Sequence, residues 1–299
     1  MLTHGRSYVL GELSMLKRNE FERWIDATHT LFEIFEGRYD VYPMTVTWIN
    51  EWLDSGFFKI TKEHITRIFA LIENFDYEVY GVKGEQKERI DAQFKNLLQN
   101  HLREGKSENA GFAIAPYLFT WNFQRFKKYY FEMHDFDVSQ YFQALSNFIK
   151  EQKKDLEFFK NKRLMQEQIE TEKIKQLFNK INVKLGVLGL GHNEPVATVK
   201  IIHVFSPYYF PLIDNRIAEK VGLLTYEWET LTANSYLIWM KAVKNWLINY
   251  KEIIDKIEQR YNSSILKLVD EGLYMMSTVD LSKRVADLGV KIWPPKTPK

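Results

Sequence analysis

Hydrophobic residues recur every three to four positions over long stretches of the chain, which is the period of an α-helix. One such stretch runs from Glu12 to Phe35, and another forms a wide apolar stripe from Leu231 to Tyr250. A last helix is predicted over roughly Ser264 to Met276. Only 8 Pro and 14 Gly interrupt the 299 residues. The pattern therefore predicts a mainly α-helical protein built from many helices.

Local signals mark where individual helices begin. Thr61 is a good N-cap residue for a helix that follows it. Asp137, followed three residues later by Gln140, matches a capping box. Between them, the aromatic-rich stretch from Gly111 to Met133 is either a buried helix or a pair of strands. We favour a helix that begins after Pro116.

The capping box at Asp137 also divides the chain. Residues 1–136 form an N-terminal helical region to which the sequence assigns no role. Residues 137–299 form a helical region that contains the most informative segment, residues 185–224. A chain of this length is sufficient for one large domain or two ordinary ones.

Composition excludes several kinds of site. The chain has 0 Cys, which rules out disulfides, iron–sulfur clusters and thiolate zinc sites. Neither HExxH nor a paired His–carboxylate motif is present, so we expect no metal site and no cofactor. The longest uncharged stretch, which includes Gly111 to Gln124, is too short to span a membrane. Met1 to Glu12 does not resemble a secretory signal, so we expect a cytoplasmic protein without a membrane partner.

The balance of charge is nearly even. A formal net charge of +2 means that a nucleic-acid surface, if one exists, is a local patch. The stretch from Lys150 to Lys184 has ten Lys and Arg against six Asp and Glu. Because the acids are interspersed, this stretch is better interpreted as a solvated helix face than as a nucleic-acid patch. Aromatic residues reach 15%, which fits a large helical core better than a base-stacking surface.

The segment from Leu185 to His203 predicts a tight hairpin between two helices. Apolar residues precede a turn with Gly189 and Gly191, then Asn193 or Glu194 can serve as the N-cap, and Pro195 suits the first helical position. Amides at such a helix start can hold an anion, for example a DNA phosphate. A dinucleotide-binding loop is a weaker interpretation, because its third glycine is replaced by Glu194 and no βαβ pattern follows. A tight connection between packed helices, without any ligand, remains open.

The next stretch, Phe205 to Ala218, ends one helix, crosses an aromatic loop bounded by prolines, and opens another helix at Asp214. Together with the hairpin, this order resembles the helix-hairpin-helix DNA glycosylase superfamily. The residues that carry the resemblance are Leu188 to Gly191, Val196 with Ala197, and Phe210 to Ile217. It covers about 40 of the 299 residues.

The resemblance implies two helical subdomains that flank a cleft, with the hairpin bound to the DNA backbone and a damaged base flipped into an aromatic pocket. Asp214 then occupies the position of the catalytic acid, where it stabilises positive charge on the sugar or orients a water. The nucleic-acid-binding residues implied in this way are Gly189, Gly191, His192, Asn193, Lys200 and Arg216.

The chain departs from the pattern of the bifunctional members. These have a lysine directly after the hairpin, whereas His192 and Asn193 follow Gly191 here, and Lys200 lies about two turns into the helix. The implied enzyme is therefore monofunctional. Two other interpretations stay open: a non-catalytic DNA- or RNA-binding protein that uses the same hairpin, and a helical interaction protein in which Asp214 is only a helix cap.

Overall fold

The computed structural model describes residues 15–37, 40–102, 105–133, 135–223 and 231–277, and these residues are mainly α-helical. The predicted fold class is therefore confirmed. Up to residue 133 the elements are α1 Arg18–Phe35, α2 Tyr42–Ser55, β1 Phe58–Lys59, α3 Lys62–Asn74, a 3-10 helix Tyr77–Tyr80, α4 Glu85–Leu102, β2 Lys106–Ser107, α5 Ala110–Trp121 and α6 Phe123–Glu132. The two short strands pair antiparallel, with Phe58 opposite Ser107.

The remaining elements lie after residue 137 along the chain. They are α7 Val138–Glu151, α8 Lys153–Glu157, α9 Thr171–Leu188, α10 Pro195–Phe205, α11 Asn215–Lys220, α12 Ala233–Leu247, a 3-10 helix Ile248–Tyr250, α13 Lys251–Tyr261 and α14 Ile265–Ser277. Within the described ranges, none of these helices combines the length and the apolarity that crossing a bilayer requires.

Three predicted helix starts are confirmed here, in addition to the one at Asp214 described below. The Thr61 hydroxyl accepts a hydrogen bond from the His64 amide at 3.2 Å, and α3 begins at the next residue. The Asp137 carboxylate accepts from the amides of Ser139 (2.7 Å) and Gln140 (3.1 Å), which starts α7. Pro195 occupies the first position of α10, as expected from the sequence. Side-chain caps are local signals, which is why the sequence reveals them.

The helix expected only after Pro116 starts earlier, so that prediction was wrong. α5 begins at Ala110, because the Asn109 side chain accepts a hydrogen bond from the Phe112 amide at 2.8 Å, and it continues through Pro116. Every residue of α5 from Ala110 to Thr120 is buried. Packing on all sides outweighs the unfavourable proline in the helix interior.

α5 is the centre of the molecule. It packs against α2 on one side and α7 on the other, and α7 in turn packs against α9. A Cβ atom on Gly111 would lie 2.0 Å from the Phe142 carbonyl oxygen, so the backbones of α5 and α7 are in direct contact there. α9 also packs against α10 and α12, while α1 lies on α14. The buried apolar residues form a continuous cluster that extends from Phe21 to Leu273.

Candidate functional site

The predicted hairpin connects α9 to α10. α9 ends at Leu188, and Glu194 is the N-cap of α10. The Gly191 amide donates to the Gly186 carbonyl at 2.8 Å, and the Gly189 amide donates to the Leu185 carbonyl at 3.0 Å. Both glycine amides therefore satisfy carbonyls at the end of α9. The residues before the turn are helical rather than extended, which excludes the dinucleotide-binding interpretation.

Close contacts explain two of the glycines. A Cβ on Gly186 would lie 2.8 Å from the His192 carbonyl oxygen, and a Cβ on Gly189 would lie 2.5 Å from the Tyr129 ring. Gly191 has open space around it but adopts a φ of +77°, which favours glycine.

The exposed part of the hairpin consists of Gly191, His192 and Asn193, which we call the hairpin tip. In the described ranges, the amides of His192 and Asn193 donate to no protein acceptor.

A buried carboxylate anchors the hairpin to α6. The Glu194 side chain, 3% exposed for the whole residue, accepts from the Tyr129 hydroxyl at 2.9 Å and from Arg125 Nε at 2.8 Å. Its backbone amide donates to Asn182 Oδ1 at 2.6 Å. Burial raises the pKa of Glu194 to about 7, against the opposing effect of Arg125. The sequence pointed to Glu194 only as a helix cap and gave no sign of its partners on α6.

Asp214 is the N-cap of α11, as predicted. Its Oδ1 accepts from the Ile217 amide at 2.7 Å, and the residue is half-buried. Three consecutive carbonyls just before it are each held by a buried side chain. His203 contacts the Phe210 oxygen at 2.5 Å; Tyr236 donates to the Pro211 oxygen and Trp239 to the Leu212 oxygen, both at 3.0 Å. These bonds fix the backbone that carries Asp214.

His203 is part of this support rather than of the surface. It is fully buried, and burial lowers its pKa to about 3, so its ring is neutral at physiological pH. The Nδ1–H donates to the Phe210 oxygen, which leaves Nε2 to accept from the Tyr42 hydroxyl at 2.9 Å. α2 is thereby connected to the segment that precedes Asp214.

Charged side chains from three elements meet beside Asp214. Lys200 of α10 and Asp270 of α14 both interact electrostatically with Asp214, and all three residues are half-buried. We call Lys200, Asp214 and Asp270 the charged cluster. Burial lowers the pKa of Lys200 to about 8, although both acids oppose this. Burial and then Asp214 raise the pKa of Asp270 to about 7, against the effect of Lys267 and Lys200.

Aromatic rings lie next to the charged cluster. The Trp121 ring stacks on Phe32 at 5.7 Å between centroids and meets the edge of Tyr274 at 5.7 Å. We call Phe32, Trp121 and Tyr274 the aromatic wall. The wall joins the cluster through Lys200, whose Nζ donates to the Trp121 carbonyl. A second buried cation, Lys267, lies 4.4 Å from the centroid of the Phe32 ring.

The structure brings only some of the predicted residues together. Lys200 lies beside Asp214. The hairpin tip directly precedes the start of α10, and the helical rise per residue places Lys200 about 9 Å further along the axis of that helix. Arg216 is exposed on α11. Asp270 and the aromatic wall were missed. The available signal was the polar set Lys267, Asp270 and Glu271 within the otherwise apolar α14.

No metal centre is found in the described part of the chain, where no three His, Asp or Glu residues are grouped as ligands. Leu224, the last residue of the informative segment, lies outside the described residues. Comparison with models of known protein families, with curated proteins and with solved structures gave no match.

Proposed function

We propose that this protein is a monofunctional DNA glycosylase that releases a damaged base, with Asp214 as its catalytic acid. The observation that carries the proposal is the charged cluster beside the aromatic wall. A half-buried carboxylate on a rigidly hydrogen-bonded segment is adjacent to a cation, a second acid and several aromatic rings. This combination suits a reaction that develops positive charge next to a flat ring.

The chemistry assigned to Asp214 is electrostatic. As the bond between the sugar C1′ and the base breaks, the sugar acquires oxocarbenium character, and a fixed carboxylate stabilises it. Preorganisation matters here, because a carboxylate held in place does not need to reorient during the reaction. The three buried hydrogen bonds to the carbonyls of residues 210–212 provide that rigidity. Trp121 and Tyr274, both half-buried, are candidates to stack on the flipped base.

Contact with the DNA backbone is assigned to the hairpin tip. The amides of Gly189 and Gly191 are occupied at the end of α9, so the donors for a phosphate are the amides of His192 and Asn193. Exposed Lys128 on α6 interacts electrostatically with Glu194 directly behind the tip and adds positive charge. Arg216, exposed two residues after Asp214, is a second candidate phosphate contact.

A non-catalytic nucleic-acid-binding protein is the second candidate. It is favoured by the exposed hairpin tip, whose geometry does not depend on the charged cluster. Asp214 would then act only as the cap of α11, a role that its hydrogen bond to the Ile217 amide fulfils without any substrate. Base release separates the two candidates, because only the enzyme breaks a bond.

The test compares wild type, Asp214→Asn and Asp137→Asn on duplex oligonucleotides that each carry one lesion. Asn caps a helix as well as Asp does, so both variants should keep their folds, and Asp137→Asn is a matched cap control far from the charged cluster along the chain. We expect base release to fall by about 100-fold or more in Asp214→Asn alone, with binding kept within a few-fold. Salt-sensitive binding without release by wild type favours the non-catalytic protein. Absence of binding at low salt leaves a helical interaction protein.

A further inference from the structure

A cavity of about 290 Å³ lies between the segment after α8, the loop that precedes Asp214, and the last two described helices, α13 and α14. We call it the α13 pocket, and its apolar lining consists of Met165, Ile254, Ile265 and Leu266. Its volume is that of about ten water molecules in the liquid, which is sufficient for a small organic ligand. None of the described residues that line it belongs to the charged cluster, the aromatic wall or the hairpin tip, so it is a separate site.

The walls of the α13 pocket are connected to one another by buried and half-buried bonds. The Leu164 amide donates to the Tyr208 carbonyl at 2.9 Å, which joins the segment after α8 to the loop after α10. The Ile265 amide donates to the Glu258 carboxylate at 2.8 Å, which joins α14 to α13. Arg163 also pairs with Glu258 and so connects these two halves. The pocket is therefore formed before any ligand enters it.

Charged side chains of both signs line the α13 pocket. Arg163 shares one guanidinium nitrogen between the buried Glu258 and, at 3.2 Å, the exposed Asp255, so the charge of Asp255 is compensated only in part. Glu252 pairs with an arginine of α1. Lys251 has no acidic partner among the described residues. Counted together with the arginine of α1, three cations and three acids surround the pocket, which is neutral as a whole.

Lys251 and Asp255 are neighbours on one face of α13. They are four residues apart, which places their Cβ atoms about 5–6 Å from each other on a helix. Both line the pocket, yet in the described part of the chain they form no ion pair with each other. An unpaired ammonium and a partly compensated carboxylate at this separation match a ligand that carries one charge of each sign on neighbouring groups.

Two neutral polar groups line the pocket as well. The Tyr208 hydroxyl and the Gln166 side-chain amide make no hydrogen bond to any described residue. The Arg163 guanidinium carbon lies 4.7 Å from the centroid of the Tyr208 ring, and 37% of Tyr208 remains exposed. Because Tyr208 belongs to the loop between α10 and Asp214, a ligand in this pocket would contact the segment that carries Asp214.

We propose that the α13 pocket binds a free amino acid with a hydrocarbon side chain, such as leucine. Lys251 holds the α-carboxylate, Asp255 holds the α-ammonium group, and the hydrocarbon side chain covers the apolar lining. A neutral pocket with one available group of each sign favours a zwitterion over an anion or a cation, because either of these would leave one of the two groups without a partner. The inference does not depend on the proposed function.

Two analogues of leucine each lack one of its charges. 4-Methylpentanoate has no ammonium group, and isoamylamine has no carboxylate. We expect leucine to bind at least about tenfold more tightly than either analogue, because each loses a charge-assisted hydrogen bond. Alanine keeps both charges but lacks three carbons of the side chain. At about fourfold per buried carbon, it should bind about 60-fold more weakly than leucine.

The experiment measures binding of these four compounds to the full chain by isothermal titration calorimetry. The proteins are wild type, Lys251→Met, Asp255→Asn and the control Lys241→Met, an exposed lysine on α12. Lys251→Met should weaken leucine at least about tenfold and leave isoamylamine unchanged, because that compound has no carboxylate to lose. Asp255→Asn should weaken leucine similarly and leave 4-methylpentanoate unchanged. Lys241→Met should match wild type, and all variants should retain its thermal unfolding.

Four outcomes would overturn the inference. Absence of saturable leucine binding up to about 10 mM would mean that the pocket takes no amino acid. Equal affinity for leucine and for either analogue would remove the zwitterion from the ligand class. Equal affinity for leucine and alanine would exclude a role for the apolar lining. Unchanged leucine binding in Lys251→Met and Asp255→Asn would place the site elsewhere. None of these results bears on base release, so the proposed function is tested separately.

Discussion

Two glycines of the hairpin are required for different physical reasons. Gly189 lies against the Tyr129 ring, where a Cβ would come within 2.5 Å of it. That ring cannot easily move, because its hydroxyl donates to Glu194 and its face packs among Phe136 and Tyr141. Gly191 has free space but a left-handed backbone. The family resemblance implied that both glycines contact the DNA backbone, and the structure in addition gives each glycine an internal cause.

Alanine substitutions should distinguish these causes. We expect Gly189→Ala to destabilise the protein by about 1–3 kcal/mol, the usual range for an overpacked core position. Gly191→Ala should cost about 1 kcal/mol, because only the backbone strain of a left-handed residue is involved. Urea unfolding of the two variants beside wild type measures both values. A larger loss for Gly191→Ala than for Gly189→Ala would contradict the packing described for Tyr129.

Single residues were predictable from the sequence where their role is local. The caps at Thr61, Asp137 and Asp214 bond to amides two or three residues away, so short-range patterns reveal them. The side-chain partners of Glu194 and the position of Asp270 were missed because their environments come from distant parts of the chain. The Glu194 carboxylate accepts a hydrogen bond from Tyr129 of α6, which is 65 residues earlier in the chain. No rule of sequence spacing relates these two residues.

At the scale of elements, amphipathic helices were predicted better than buried ones. α14 spans Ile265–Ser277, close to the expected Ser264 to Met276. The predicted start of α5 was too late. A helix that is buried on every side has no polar face, so its sequence shows no alternation of polar and apolar residues with the helical period, and Pro116 therefore indicated the boundary of the helix. Its start is defined by Asn109 and by the packing of Gly111 on α7.

The buried contact between Glu194 and α6 predicts how the stability of the protein depends on pH. The folded-state pKa of Glu194 is raised from 4.5 to about 7, so the folded protein binds this proton more tightly than the unfolded chain between those values. The contribution of Glu194 to stability is therefore greatest at low pH and decreases as the pH rises through this window, by at most about 1.4 kcal/mol per pH unit. Glu194→Gln should remove this slope.

The measurement is urea unfolding at pH 5 and pH 7.5 for wild type, Glu194→Gln and Glu219→Gln, an exposed control on α11. We expect the difference in stability between wild type and Glu194→Gln to shift against wild type as the pH rises, and Glu219→Gln to behave as wild type does. A shift in favour of wild type would mean that the ion pair with Arg125 outweighs the cost of burying the carboxylate.

At the scale of the whole molecule, the two ends of the described chain form one unit. α1 is bound to α13 through Arg260, which pairs with Glu22 and with Asp26, and to α14 through His29 and Glu271. The region before residue 137, to which the sequence assigned no role, contributes Phe32 and Trp121 to the aromatic wall. Hydrophobic periodicity does not reveal such long-range contacts. The helical class was therefore predictable, whereas the presence of Asp270 and the aromatic wall beside Asp214 and Lys200 was not.

The central claim is that Asp214 stabilises positive charge on the sugar, and binding to abasic analogues tests it without knowledge of the lesion. Two duplexes are compared, one with a pyrrolidine that is cationic at neutral pH and one with a neutral tetrahydrofuran at the same position. We expect wild type to bind the cationic duplex at least about tenfold more tightly, and Asp214→Asn to lose that preference while it still binds the neutral duplex. Equal affinity of wild type for the two duplexes, or an unchanged preference in Asp214→Asn, would contradict the claim.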